Sequence, residues 1–121
     1  MVVKEIIWIS EEILEAEVVI TDGQFDLLCF GHPFKKKKGE QLTGPIYALD
    51  PTEIIRLETP NSHIKKLDES FDYLIEGELV DKKSGLMKIG DIMIEIDGRF
   101  IPGDIVNGDY ISFRCDRLDI Y

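Results

Sequence analysis

Alternation is the feature that most constrains this chain. In Leu14-Glu15-Ala16-Glu17-Val18-Val19-Ile20 the even positions are apolar, and Glu15 and Glu17 fall between them. A period of two puts the two sets on opposite faces of an extended backbone, so the segment reads as a half-buried strand. Thr21-Asp22-Gly23-Gln24 supplies turn residues, and Phe25 to Phe30 returns as a second strand, which predicts a hairpin. Ile6-Ile7-Trp8-Ile9 has the same strand character, with Trp8 assigned to the core or to a dimer interface.

The second half repeats this grammar. Phe71 to Val80 is a strand and Asp81-Lys82-Lys83-Ser84-Gly85 a turn. Leu86 to Ile96 is a long apolar run in which Gly90-Asp91 permits a bend or bulge. Asp97-Gly98 reads as a hairpin turn, and Arg99-Phe100-Ile101 begins the return strand before Pro102-Gly103 ends it. Asn107-Gly108 makes another turn, and Asp109 to Tyr121 is the last strand. There the apolar phase shifts: Ile111, Phe113 and Cys115 are odd, whereas Leu118 and Ile120 are even. A bulge near Asp116-Arg117 returns both sets to the core. Phe71, Tyr73 and Phe113 fit inward positions, and Arg114 and Arg117 are expected to pair with the nearby Asp116 and Asp119.

The middle is less regular. Gly31-His32-Pro33-Phe34 breaks the strand rhythm, Lys35 to Lys38 with Gly39 form a solvated loop, and Pro45 to Leu49 suits a short strand. Asp50-Pro51-Thr52-Glu53 has a helix start's residues, yet Thr52, Ile54 and Ile55 suit a strand equally, so residues 50–57 stay open between the two. Pro60 to Glu69 reads as a connecting loop with a possible helical turn.

Six or seven short strands with turns between them imply a mainly β fold: a small OB-like Greek-key barrel, alternatively a β-sandwich, with at most one or two short helices. Gly77-Glu78-Leu79-Val80, then Gly85 to Ile96, then Gly108-Asp109-Tyr110-Ile111-Ser112-Phe113 resembles the strand rhythm of OB-fold domains over roughly the last 50 residues. The resemblance implies a barrel and no function.

A chain of 121 residues suits one β-rich domain, 1–121. Its apolar share of 44% is enough for an ordinary core. Twenty-four acidic residues against fourteen basic ones give a net charge of −10. Such a surface disfavours phosphate backbones and anionic lipid, and it favours solubility or a basic partner. The first ten residues carry Lys4 and Glu5 among apolar ones, unlike a signal peptide or a membrane span, so a cytoplasmic location is expected. In that setting Cys29 and Cys115 are expected to be buried free thiols.

Chemistry-bearing patterns are few. No nucleophile elbow, phosphate-cradling glycine loop or dinucleotide fingerprint is present, and His32 and His63 are the only imidazoles, so no catalytic residue is assigned and an enzyme is not expected. Cys29 and His32, with His63 and Cys115, make an acceptable tetrahedral donor set, but only one pair is close-spaced. A core cysteine and a loop histidine explain them better, and neither metal nor cofactor is assigned. Against the acidic background Lys35, Lys36, Lys37 and Lys38 stand out; without them the charge is −14. With Phe30, His32 and Phe34 beside them they are the candidate binding residues. The reading is a protein-interaction module that favours a basic partner, with homo-oligomers open and membranes excluded. Single-stranded nucleic acid at the lysine run is the alternative, and a small enzyme with an unrecognised site is a third reading.

Overall fold

The computed structural model describes residues 1–67 and 71–120. Asp68 and Glu69 of the expected loop and Tyr121 of the expected last strand lie outside the described residues. Among the described residues eleven strands form one mixed sheet: β1 (Val2–Ser10), β2 (Glu15–Thr21), β3 (Asp26–Gly31), β4 (Ile46–Leu49), β5 (Thr52–Arg56), β6 (His63–Lys66), β7 (Tyr73–Asp81), β8 (Leu86–Ile89), β9 (Ile92–Glu95), β10 (Tyr110–Cys115) and β11 (Arg117–Ile120). The hydrogen-bonded order is β1-β2-β3-β11-β4-β9-β8-β7-β10-β5, with β6 also paired to β7. Two pairings, β3 with β11 and β4 with β9, are parallel, and the rest are antiparallel.

This sheet is open, ending at β1 and β5, in place of the closed OB-like barrel expected from the sequence; the two sheets of a sandwich are not seen either. Alternation reports which face a residue occupies and is silent on which strands pair, so closure was not legible in it. The sheet is nonetheless strongly curled. Leu28 on β3 donates its N–H to Tyr73 Oη on β7 at 2.8 Å. Those strands are five steps apart in the sheet order, about 24 Å if flat. Curling wraps one face around a core that includes Val18, Ile20, Leu27, Ile75, Leu79, Ile94, Phe113 and Leu118. No α-helix covers the sheet among the described residues.

The two hairpin tips that meet across the curl are stitched by one carboxylate. Asp22, in the β2–β3 turn, accepts N–H bonds from Gln24 and Phe25 at 2.9 and 2.7 Å and from Asp91 in the β8–β9 turn at 3.0 Å. Burial acts to raise this carboxyl, but the N–H groups of Phe25, Asp91 and Gln24 outweigh it and hold Asp22 below the usual carboxylate range.

The phase shift at the chain end is where the sequence placed it. β10 stops at Cys115 and β11 starts at Arg117, with Ile111, Phe113, Cys115, Leu118 and Ile120 all buried. Asp116 between them donates its N–H to Leu49 O at 3.0 Å. Because of this bend, β10 lies between β7 and β5, whereas β11 lies between β3 and β4.

One open reading is decided and three are corrected. Residues 50–57 hold strand β5, since β10 offers a free edge on which Arg56 faces Ile111 and Ile55 faces Ser112. His63–Lys66 is a strand, not a helical turn, because Ile64 and its neighbours find the other edge of β7. Arg99–Ile101 is no return strand. Gly98–Phe100 forms a 3₁₀ turn capped by Asp97, which accepts the Arg99 N–H at 3.0 Å and grips its guanidinium at 2.6 Å. Phe71 is half-buried and lies just before β7, not within it.

Candidate functional site

The lysine run is held by its two ends. β3 finishes at Gly31, opposite Ala16. After the cis His32-Pro33 bond, Phe34 donates its N–H to Leu14 O at 2.8 Å. The Phe34 ring is buried and packs against Trp8, centroids 6.5 Å apart and planes tilted by 56°. Gly31 makes room for it, because a Cβ there would lie 3.0 Å from Phe34 Cβ. At the far end, Gly39 donates to Val3 O at 2.7 Å, Val3 to Glu40 O at 2.9 Å, and Leu42 to Met1 O at 2.9 Å. Lys35 to Lys38 therefore pass from the Trp8 end of β1 to its Val3 end.

This placement divides the sequence-derived candidates. Lys35, Lys37 and Lys38 are exposed, while Lys36 pairs with Glu40 at 3.2 Å. His32 is exposed. Phe34 belongs to the core, which removes it from any stacking surface. Phe30 is half-buried, and the Arg117 guanidinium sits 4.3 Å above its ring centre while also gripping Asp119 at 2.6 Å. Of these candidates only Phe30 and His32 line a shallow concavity of about 220 Å³, together with Arg117, Asp119 and Ile120. A neighbouring one of about 340 Å³ shares Ile120 and adds Lys36, Leu42, Tyr47 and Glu95.

Catalytic groups do not converge in the larger concavities. A surface groove of about 730 Å³ is lined by Asp81, Lys82, Asp97, Arg99 and Asn107. Its charges are engaged in holding turns. Lys82 Nζ donates to the carbonyls of Pro102, Gly103 and Ile105 at 3.1, 3.2 and 2.6 Å, and Arg99 beside Asp97 holds that carboxyl below the usual range. Among the described residues no group of three His, Cys, Asp or Glu side chains is placed to hold a metal ion. Cys29 points into the core, while His32 and His63 are exposed, His63 on β6. Burial pushes the Cys115 thiol up to about 12 and raises Cys29 further, so both are inert free thiols at neutral pH.

A different surface emerges at the β1–β2 hairpin. Ile7, Trp8, Ile9 and Ile13 are 43%, 37%, 50% and 52% exposed. Apolar residues at consecutive positions are the pattern of a strand covered on both faces, yet β1 ends the sheet order, and residues 39–42 meet its outer edge only at Met1 to Val3 among the described residues. The signal was present in Ile6-Ile7-Trp8-Ile9, where alternation gives way to an unbroken apolar run.

The chain matches, over residues 1–121, the family described as uncharacterised conserved protein UCP019853. It belongs to that family. No curated protein and no solved structure matches it. Membership therefore brings no ligand or reaction, and function rests on the surfaces above. No helix among the described residues is long and apolar enough to cross a membrane.

Proposed function

We propose that this chain is a non-enzymatic protein-interaction module that contacts its partner through the β1–β2 hairpin. The observation that carries this is the exposure of Ile7, Trp8 and Ile9 at the far end of β1 and of Ile13 in the turn that follows, on a strand whose outer edge is met by residues 39–42 only at Met1 to Val3 among the described residues. Leaving such a patch in water forgoes burial of roughly 25 cal/mol per Å², and a partner surface recovers it. The two free, buried thiols are in keeping with a reducing cytoplasmic setting.

Capture from the source cell's lysate tests the reading. The immobilised wild type is expected to retain proteins that an Ile7→Lys, Ile9→Lys, Ile13→Lys variant does not. Identical retained sets would remove the hairpin from consideration.

Single-stranded nucleic acid receives less support, because Phe34 is in the core and the Phe30 ring is covered by Arg117. Four lysines neutralise at most about four phosphates, so any affinity is expected to fall with salt at a log–log slope no steeper than about −3. Fluorescence anisotropy with labelled single-stranded DNA and RNA measures this. Tight binding at about 150 mM salt that disappears when Lys35 to Lys38 become alanine would restore nucleic acid as the ligand.

A further inference from the structure

We propose that the outer face of the β1–β2 hairpin receives a basic, amphipathic segment of a partner protein. This rests on the interaction reading above and adds the partner's chemistry. Glu5 pairs with Val19, Ile6 with Val18, Ile7 with Glu17 and Trp8 with Ala16. Paired residues share a face, so Ile6 and Trp8 turn towards the core with the buried Val18 and Ala16, whereas Glu5, Ile7 and Glu17 turn outward. Ile9 lies within the register shift that follows Trp8, and Ile13 lies in the turn with Glu11 and Glu12. The exposed isoleucines are thus bordered by Glu5 and Glu17 along the strands and by Glu11, Glu12 and Glu15 at the hairpin end.

Charge selects the occupant. Among the described residues none of these five glutamates takes part in an ion pair, and Lys4, the one lysine of β1, is engaged with Asp26 at 2.6 Å. Docking a segment whose apolar side chains cover Ile7, Ile9 and Ile13 brings its flanking cations to these carboxylates. The apolar contact supplies most of the affinity, and the charges supply orientation and association rate. A second copy of this chain offers the opposite: glutamates against glutamates, between molecules of net charge −10. The lysine run passes beside β1 between Trp8 and Val3, so it repels a cationic segment from that side and leaves the glutamate-bordered face as the landing site.

The test uses a labelled peptide of about twelve residues alternating leucine and lysine, and an analogue with glutamate for every lysine. Anisotropy is expected to show binding of the lysine peptide alone. Combined Glu5→Gln, Glu11→Gln, Glu12→Gln, Glu15→Gln and Glu17→Gln substitutions should weaken it about tenfold, since exposed ion pairs contribute a few tenths of a kcal/mol each. Ile7→Lys with Ile9→Lys should abolish it. Every substitution is at a solvent-facing or half-exposed position, and an unchanged circular dichroism spectrum checks the fold. Binding that ignores all of these substitutions overturns the proposal, as does no binding. If the lysine peptide fails while ultracentrifugation shows a dimer that Ile7→Lys with Ile9→Lys dissociates, the basic segment is excluded and the interaction reading stands with a second copy as partner. Failure of the peptide, a monomer, and hairpin-independent capture from lysate together remove both.

Discussion

Replacing Phe113 by alanine is expected to remove about 3–5 kcal/mol of folding stability. Phe113 is fully buried on β10, facing Ile75 of β7. Its ring belongs to the core cluster, so truncation loses the transfer free energy of the ring and also leaves a cavity. The walls of that cavity are strands tied on both sides, β10 by β7 and β5, which limits their collapse. For a domain with a total stability of about 5–15 kcal/mol the loss is a large fraction. Urea denaturation of wild type and variant measures it. Phe100→Ala, at an exposed position, serves as the comparison and should change little. Equal midpoints for wild type and Phe113→Ala would mean that the last strand contributes nothing to the core.

Phe113 also shows what the sequence makes legible. Its neighbours Ile111 and Cys115 share its parity, and the change of parity at Leu118 and Ile120 located the break at Asp116 from pattern alone. The same reasoning recovered β2 and β7, because each alternates over at least five residues and ends in residues that tolerate a turn, while β3 was legible as the apolar return arm after the turn at 21–24. Parity assigns faces, and faces are most of what a half-buried sheet needs.

Partners are another matter. Nothing in Thr52-Glu53-Ile54-Ile55-Arg56 announces that β10 has a free edge, so a short segment with mixed propensity is decided by tertiary pairing. His63–Lys66 is the same case on β7. Asp97-Gly98 misled for a local reason: the Asp97 carboxylate captures the Arg99 backbone and side chain, which favours a 3₁₀ turn over a hairpin. At the candidate site, the aromatic residues beside the lysines looked available for stacking. Phe34 instead turns inward and packs against Trp8, a long-range packing outcome with no short-range signature.

The second large effect is expected at a glycine. Gly85 ends the β7–β8 turn with φ +73°, a conformation that costs an L-residue about 1–2 kcal/mol. A Cβ there would also lie 1.8 Å from Ile96 O, a backbone atom that no rotamer change can move aside. Relieving the contact displaces Ile96, which is buried and donates its N–H to Gly85 O at 2.8 Å. Gly85→Ala thus combines backbone strain, displacement of the chain just after β9 and a weakened hydrogen bond, for a total of about 3–5 kcal/mol. Gly23 separates these causes. It too has positive φ, +94°, but a Cβ there meets nothing within 4 Å. Gly23→Ala should therefore cost only the strain, about 1–2 kcal/mol. Urea midpoints of the two variants, measured side by side, carry the test. A Gly85→Ala loss no greater than that of Gly23→Ala would show that the turn relaxes away from Ile96, and that the β7–β8 hairpin is not locked against the end of β9 as described.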